Sequence, residues 1–117
     1  YGDAMDADIA KLKERLTFEY VFYDNGTKKL QVYLMNSGTI DNVAIQTVYV
    51  KNSTGALIQV NSSITLRHFS GDDIAEDLDR GEERYFVLSS LDLEADTIYS
   101  VRVVTGRGSA FDHAFIA

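Results

Sequence analysis

The densest group of chemistry-bearing side chains lies between Asp72 and Glu83. Asp72, Asp73, Glu76, Asp77, Asp79, Glu82 and Glu83 place seven carboxylates beside a single base, Arg80. Calcium takes oxygen ligands of this kind. The spacing fails the EF-hand loop, however, which needs ligands at alternate positions and a central glycine. The same stretch also reads as a short helix, with Asp73, Glu76 and Asp77 on a polar face and Ile74 and Leu78, four apart, on the other. A solvated acidic loop or helical turn is the plainer reading, and no metal or other cofactor is expected.

The remaining catalytic alphabets are sparse. His68 and His113 are 45 residues apart with no local companion ligand. Cysteine is absent, which excludes disulfides, thiolate metal sites and cysteine nucleophiles. No Gly-x-Ser-x-Gly elbow occurs. Gly106-Arg107-Gly108 is too short to cradle a phosphate and lies between two strand-like segments. The residues therefore point away from an enzyme and toward a binding role.

Asparagine sequons are the more informative pattern. Asn25-Gly26-Thr27, Asn52-Ser53-Thr54 and Asn61-Ser62-Ser63 are three Asn-x-Ser/Thr acceptors, where five Asn and 17 Ser or Thr placed at random would give about 0.7. All three fall at predicted turns or strand ends, where a glycan at Asn25, Asn52 or Asn61 would project outward. The competing explanation is that turns favour these residue types for backbone reasons.

The elements that position these residues follow from periodicity. Met5, Ile9, Leu12 and Leu16 make one narrow helical stripe, with acids early and bases late, so a helix is expected from about Ala4 to Glu14. From Leu16 the period becomes two. Leu16 to Tyr23 is aromatic and β-branched, and Asn25-Gly26 is a hairpin signal. Lys28 to Asn36 reads as the return strand, with Leu30, Val32 and Leu34 on one face and Lys29, Gln31, Tyr33 and Met35 on the other. Further strands are expected over 40–52, 56–60, 64–69, 84–88, 97–105 and 109–116, with Leu91 and Leu93 dipping inward between them. Turns about every ten residues suit an all-β, immunoglobulin-like antiparallel β-sandwich of seven or eight strands preceded by a short N-terminal helix. An eight-stranded barrel is the competing architecture. The expected organisation is a helical stretch over 1–15 and a sandwich domain over 16–117.

The strand predicted over 40–52 is apolar on both faces, with Val43 and Ile45 on one and Val48 and Val50 on the other. Either connections cover one face or another molecule does. Val43, Ile45, Val48 and Val50 are thus the candidate partner or dimer interface, and a homodimer or hetero-assembly is expected.

Composition bounds the rest. The chain has 117 residues and a net charge of -7, of which -6 lies in the acidic stretch. A chain of this length buries enough surface to fold without disulfide or metal. Its acidity argues against nucleic acid and anionic lipid as partners. No run of about 18 apolar residues and no leader is present. Because the chain starts at Tyr1 without methionine, we expect a segment upstream of it.

The run Leu16-Thr17-Phe18-Glu19-Tyr20-Val21-Phe22-Tyr23, then Leu30-Gln31-Val32-Tyr33-Leu34-Met35-Asn36-Ser37-Gly38, Val48-Tyr49-Val50 and Tyr99-Ser100-Val101-Arg102-Val103-Val104-Thr105-Gly106-Arg107-Gly108 resembles the secreted domains of archaeal pilin-like and archaellum proteins. Within that group it is most similar to the archaellum stator proteins, the F type or its partner G. The resemblance implies a single membrane helix upstream of Tyr1, with Ala4 to Leu16 as its juxtamembrane end. It implies a β-sandwich between cell membrane and surface layer, and no catalytic residues. It also implies a role in motility: anchoring the archaellum motor or filament to the envelope by binding the surface-layer protein or other archaellum components. A pilin or archaellin filament subunit is the alternative of the same class. A carbohydrate-binding sandwich is the alternative of another class; it would need an exposed aromatic platform, whereas the aromatics here follow strand alternation as core residues do.

Overall fold

Among the described residues, alternation builds nine strands in two antiparallel sheets. The structure is a computed structural model that describes residues 13–69, 73–75 and 77–117. The strands are β1 (Leu16–Asp24), β2 (Lys29–Asn36), β3 (Ile45–Asn52), β4 (Leu57–Asn61), β5 (Leu66–His68), β6 (Ile74–Ala75), β7 (Glu83–Leu88), β8 (Ile98–Thr105) and β9 (Ala110–Ile116). One sheet has the order β1-β2-β7-β5-β6 and the other β4-β3-β8-β9. Two separate sheets replace the barrel alternative. The strand count exceeds the expected seven or eight because β6 forms inside the stretch that sequence reads as an acidic loop or helical turn.

The inner faces interlock as one core. Leu30, Val32 and Leu34 of β2, Phe86 and Leu88 of β7, Val48 and Val50 of β3, and Val101 and Val103 of β8 are all buried. Burying such side chains contributes roughly 1.5–3 kcal/mol each before entropy is counted. Leu91 and Leu93 dip inward as expected and are buried. The loop that carries them is held by the buried hydroxyl of Tyr23, which donates to the Leu91 carbonyl and accepts from the Leu93 amide at 3.1 Å.

Several local expectations are corrected. Residues 40–44 do not extend β3. They cross from one sheet to the other, and Val43 makes an isolated bridge to Leu78. The acidic stretch is not helical at Ile74 and Leu78: Ile74 lies in a strand with 68% exposure, while Leu78 is fully buried, so the two share no face. The Asn25-Gly26 turn does not use positive φ at either residue. It is a four-residue connection closed by the Asp24–Lys29 pair, and its left-handed residue is Lys28 (φ 57°). An Asp24 carboxylate oxygen accepts from the Gly26 amide at 2.9 Å and turns the chain there.

Residues 1–12, which carry most of the expected helix, lie outside the described residues. At its expected end, Glu14 and Arg15 are not helical. The Lys13 and Arg15 carbonyls instead accept from the Thr39 and Ser37 amides, at 3.0 Å each. Gly38 lies beneath this segment, and a Cβ there would collide with the Lys13 carbonyl and the Arg15 amide. The Glu14 carboxylate is completely buried. It accepts from Thr105 Oγ1 (2.8 Å), Ser109 Oγ (2.7 Å) and Arg107 Nη1 (2.9 Å), tying the entering chain to the β8–β9 hairpin.

Candidate binding surface

Two one-residue bulges decide which side chains this domain presents. In β3 the register steps from Ile45↔Thr105 to Thr47↔Val104, so Gln46 is an extra residue. A bulge shifts the two-residue period by one. Ile45 and Val48, opposite in a regular strand, therefore both face the core. Val43, Val48 and Val50 are fully buried, and Ile45 is half-buried against them. The cover over this strand is intramolecular: Val43, Val48 and Val50 have no surface to offer a partner, and the two-faced appearance is the signature of the bulge.

The mirror-image event occurs in β1. Its register steps from Phe18↔Leu34 to Tyr20↔Tyr33, with Glu19 as the extra residue. Leu16, Phe18, Tyr20 and Phe22 would share a face in a regular strand. After the bulge, Phe18 packs toward the core while Tyr20 and Phe22 point outward with 54% and 44% exposure. Across the outer face Tyr20 lies opposite Tyr33, Tyr33 opposite Tyr85, and Tyr85 opposite Arg67. Tyr33 and Tyr85 stack at 5.0 Å and 17°. Phe69 meets both edge-on at 5.0 and 6.4 Å, Tyr20 meets Tyr33 at 5.7 Å, and Phe22 stacks beside Tyr20 at 6.1 Å. Five aromatic rings thus form one patch on the outer face of this sheet, with Tyr20, Phe22 and Phe69 exposed and Tyr33 and Tyr85 half-buried between them. The expectation that the aromatics behave as core residues is corrected accordingly. The available signal was Tyr33, which sequence already places on the face opposite Leu30, Val32 and Leu34.

The rim of this patch is acidic on the side of Glu19 and Glu83, while Arg67 borders Tyr85 on the β5 side. Glu83 follows from the Met35 pairing on the outer face, and the bulge brings Glu19 into hydrogen-bonding range of it. Local loss of solvating water, then the Glu83 carboxyl, hold the exposed Glu19 above the usual carboxylate range. Neither glutamate forms an ion pair among the described residues. The outer face of the other sheet is more conventional. There Arg102 binds Asp112 through Nε (2.8 Å) and Nη2 (3.0 Å), which holds Asp112 below its usual range.

Two carboxylates of the acidic stretch, Asp79 and Glu82, and its one base, Arg80, are used internally. Asp79 accepts from the Asn42 amide, Asp41 from Arg80, and Glu82 from the Asp79 amide and Arg84. Among the described residues no group of three or more His, Cys, Asp or Glu is placed to hold a metal. His113 stacks on Phe18 at 5.1 Å, and His68 is half-buried in β5.

The sequon asparagines occupy a turn and two strand ends. Asn25 is exposed beyond β1, Asn52 closes β3, and Asn61 closes β4. Each uses its side-chain oxygen locally: Asn25 accepts from Lys28, Asn61 from Gln59, and Asn52 from Thr54 and the Ala56 amide. Their Nδ2 atoms, where a glycan would attach, make no hydrogen bond among the described residues.

No helix of the described residues is long and apolar enough to cross a membrane. No family model matches the chain, and no curated relative does either. Its fold is similar to that of solved archaellum proteins. The archaellum periplasmic stator protein complex FlaF and FlaG from Sulfolobus acidocaldarius matches with a TM-score of 0.66 and 21% identity, over 86% of this chain and 87% of that one. The archaellum periplasmic stator protein FlaG from the same organism matches with a TM-score of 0.61 and 18% identity, over 87% of this chain and 99% of that one. The chain therefore has the two-sheet fold of archaellum stator domains.

Proposed function

We propose that this chain is the extracytoplasmic, protein-binding domain of an archaellum stator protein. In this reading it is a static, non-enzymatic anchor between the archaellum motor or filament and the cell envelope. It grips the surface-layer protein or joins an F–G assembly, and it is tethered by a membrane helix upstream of Tyr1, with residues 1–15 as the juxtamembrane stretch. The supporting observation is a five-ring outer face on a domain that shares its fold with the stator proteins across most of both chains. Aromatic rings are enriched in the energetic centres of protein interfaces.

The sandwich is of immunoglobulin-like type. With β1, β2, β7 and β5 as strands A, B, E and D, and β3, β8 and β9 as C, F and G, both sheet orders fit. Tyr99 in β8 supports this: its hydroxyl accepts from the Glu94 amide at 3.0 Å, as a tyrosine corner does.

The test is binding of the purified surface-layer protein to immobilised domain. Replacing both exposed rings (Tyr20→Ser with Phe22→Ser) is expected to weaken binding at least tenfold, with little change in melting temperature. Equal binding by both proteins would remove this face from the interface. The same patch also favours the carbohydrate-binding reading, because it supplies the exposed rings that reading requires. Ring-dependent signals on a glycan array, without binding to the deglycosylated surface-layer protein, would select it. A pilin or archaellin subunit would instead be abundant in sheared filaments.

A further inference from the structure

We infer that the five-ring face is built to receive a cationic side chain of a protein partner, arginine or lysine, seated between the Glu19–Glu83 carboxylates and the Tyr33–Tyr85 rings. This rests on the protein-binding reading and specifies its chemistry. Three observations converge on it. The β1 bulge inserts a carboxylate beside Glu83, where like charges are mutually unfavourable and no ion pair compensates them among the described residues. The adjoining surface is a set of tyrosine and phenylalanine rings, whose faces attract cations within about 6 Å. Finally, both glutamates are exposed, so a partner's cation reaches them without unfolding any part of the domain.

Charge also decides between occupants. A second copy of the chain docking through the same face would bring its own Glu19 and Glu83 toward these two, in a molecule already at -7. A partner bringing a guanidinium or ammonium group relieves the crowding, and arginine adds planar stacking on the rings. Apolar neighbours of that cation would cover Tyr20, Phe22 and Phe69.

The test uses the 117-residue chain and two peptide probes. One is a tripeptide amide of leucine, arginine and phenylalanine; the other has citrulline, which is isosteric but uncharged, in place of arginine. Backbone amide shifts of Tyr20, Tyr33 and Tyr85 are followed by NMR. The arginine peptide is expected to bind at least tenfold more tightly than the citrulline peptide. Glu19→Gln with Glu83→Gln is expected to reduce it to the citrulline level without lowering the melting temperature, since the substitution removes a repulsion. Equal binding of the two peptides, no binding of either, or unchanged arginine binding by the double variant would each overturn the inference. The broader reading would stand if the surface-layer protein still required Tyr20 and Phe22. Dimerisation of the unliganded chain through these rings would overturn the inference in favour of a second copy.

Discussion

Glu14 accepts three hydrogen bonds from the β8–β9 hairpin with its carboxylate completely buried. Glu14→Ala removes the acceptor shared by Thr105, Ser109 and Arg107 and leaves a cavity in its place, and is expected to cost about 3 kcal/mol in urea unfolding. Glu14→Gln keeps an acceptor and should cost less; equal costs would show that the charge contributes nothing. Among the buried tyrosines, Tyr23→Phe removes partners from Leu91 and Leu93, while Tyr99→Phe removes one from Glu94. The expected losses are about 2 and 1 kcal/mol respectively.

Acid sensitivity also belongs to single residues. The Asp79 amide, followed by Arg84, holds Glu82 below its usual range, and the Arg102 side chain does the same for Asp112. A carboxyl whose pKa is lowered by folding contributes stability at neutral pH that disappears as pH falls below about 4 and through the lower folded value. Glu19 has the opposite sign: its folded form holds the proton more tightly, so acidification relieves rather than adds a cost. Unfolding midpoints measured from pH 7 to 2 should therefore fall less steeply for Glu82→Gln than for the parent chain. An identical profile would remove Glu82 from the acid response.

At the level of elements, one inserted residue reverses a face. Glu19 is expected to be dispensable to the fold, because its deletion restores a regular β1–β2 ladder with Phe18 inward and Tyr20 outward. The deletion should keep the Tyr20–Tyr33 contact, seen as a nuclear Overhauser effect, and cost no more than about 1 kcal/mol. Loss of that contact would mean that the bulge itself aims the rings. The edge strand β4 presents Leu57, Ile58 and Val60 to solvent in a 15-residue stretch, Asn52 to Leu66, without a charge. Exposed apolar edges pair with other chains. Ile58→Lys is expected to slow aggregation on heating without lowering the melting temperature; unchanged aggregation would shift the liability elsewhere. Strand positions were legible in sequence because alternation and turn residues are local. The bulges were not, because an inserted residue leaves composition unchanged and appears only in the partner's register.

For the whole molecule, the chain enters at the end where Glu14 meets the β8–β9 hairpin. β1 and β3 run away from that end, so Asn25 and Asn52 lie at the far end of the sandwich. In the stator reading, that end projects away from the membrane. Mass spectrometry of native material is expected to find glycans at Asn25 and Asn52, and three unmodified asparagines would count against an exported, glycosylated surface.

The sequence by itself determined an all-β chain, the inward row Leu30, Val32 and Leu34, the inward Leu91 and Leu93, the β8–β9 hairpin, and a resemblance to stator domains that the fold comparison supports. Only the tertiary structure decided that Val48 and Val50 are core and that Tyr20 and Phe22 are surface. It also decided that Glu14 is buried at the β8–β9 hairpin. Glu14, outside any strand, is buried because its hydrogen-bond partners lie some ninety residues away on that hairpin, whereas for the strand residues the physical reason is register. Which face a strand buries depends on its hydrogen-bond register with a strand distant in sequence, and a single unpaired residue in that register moves every later side chain to the opposite side.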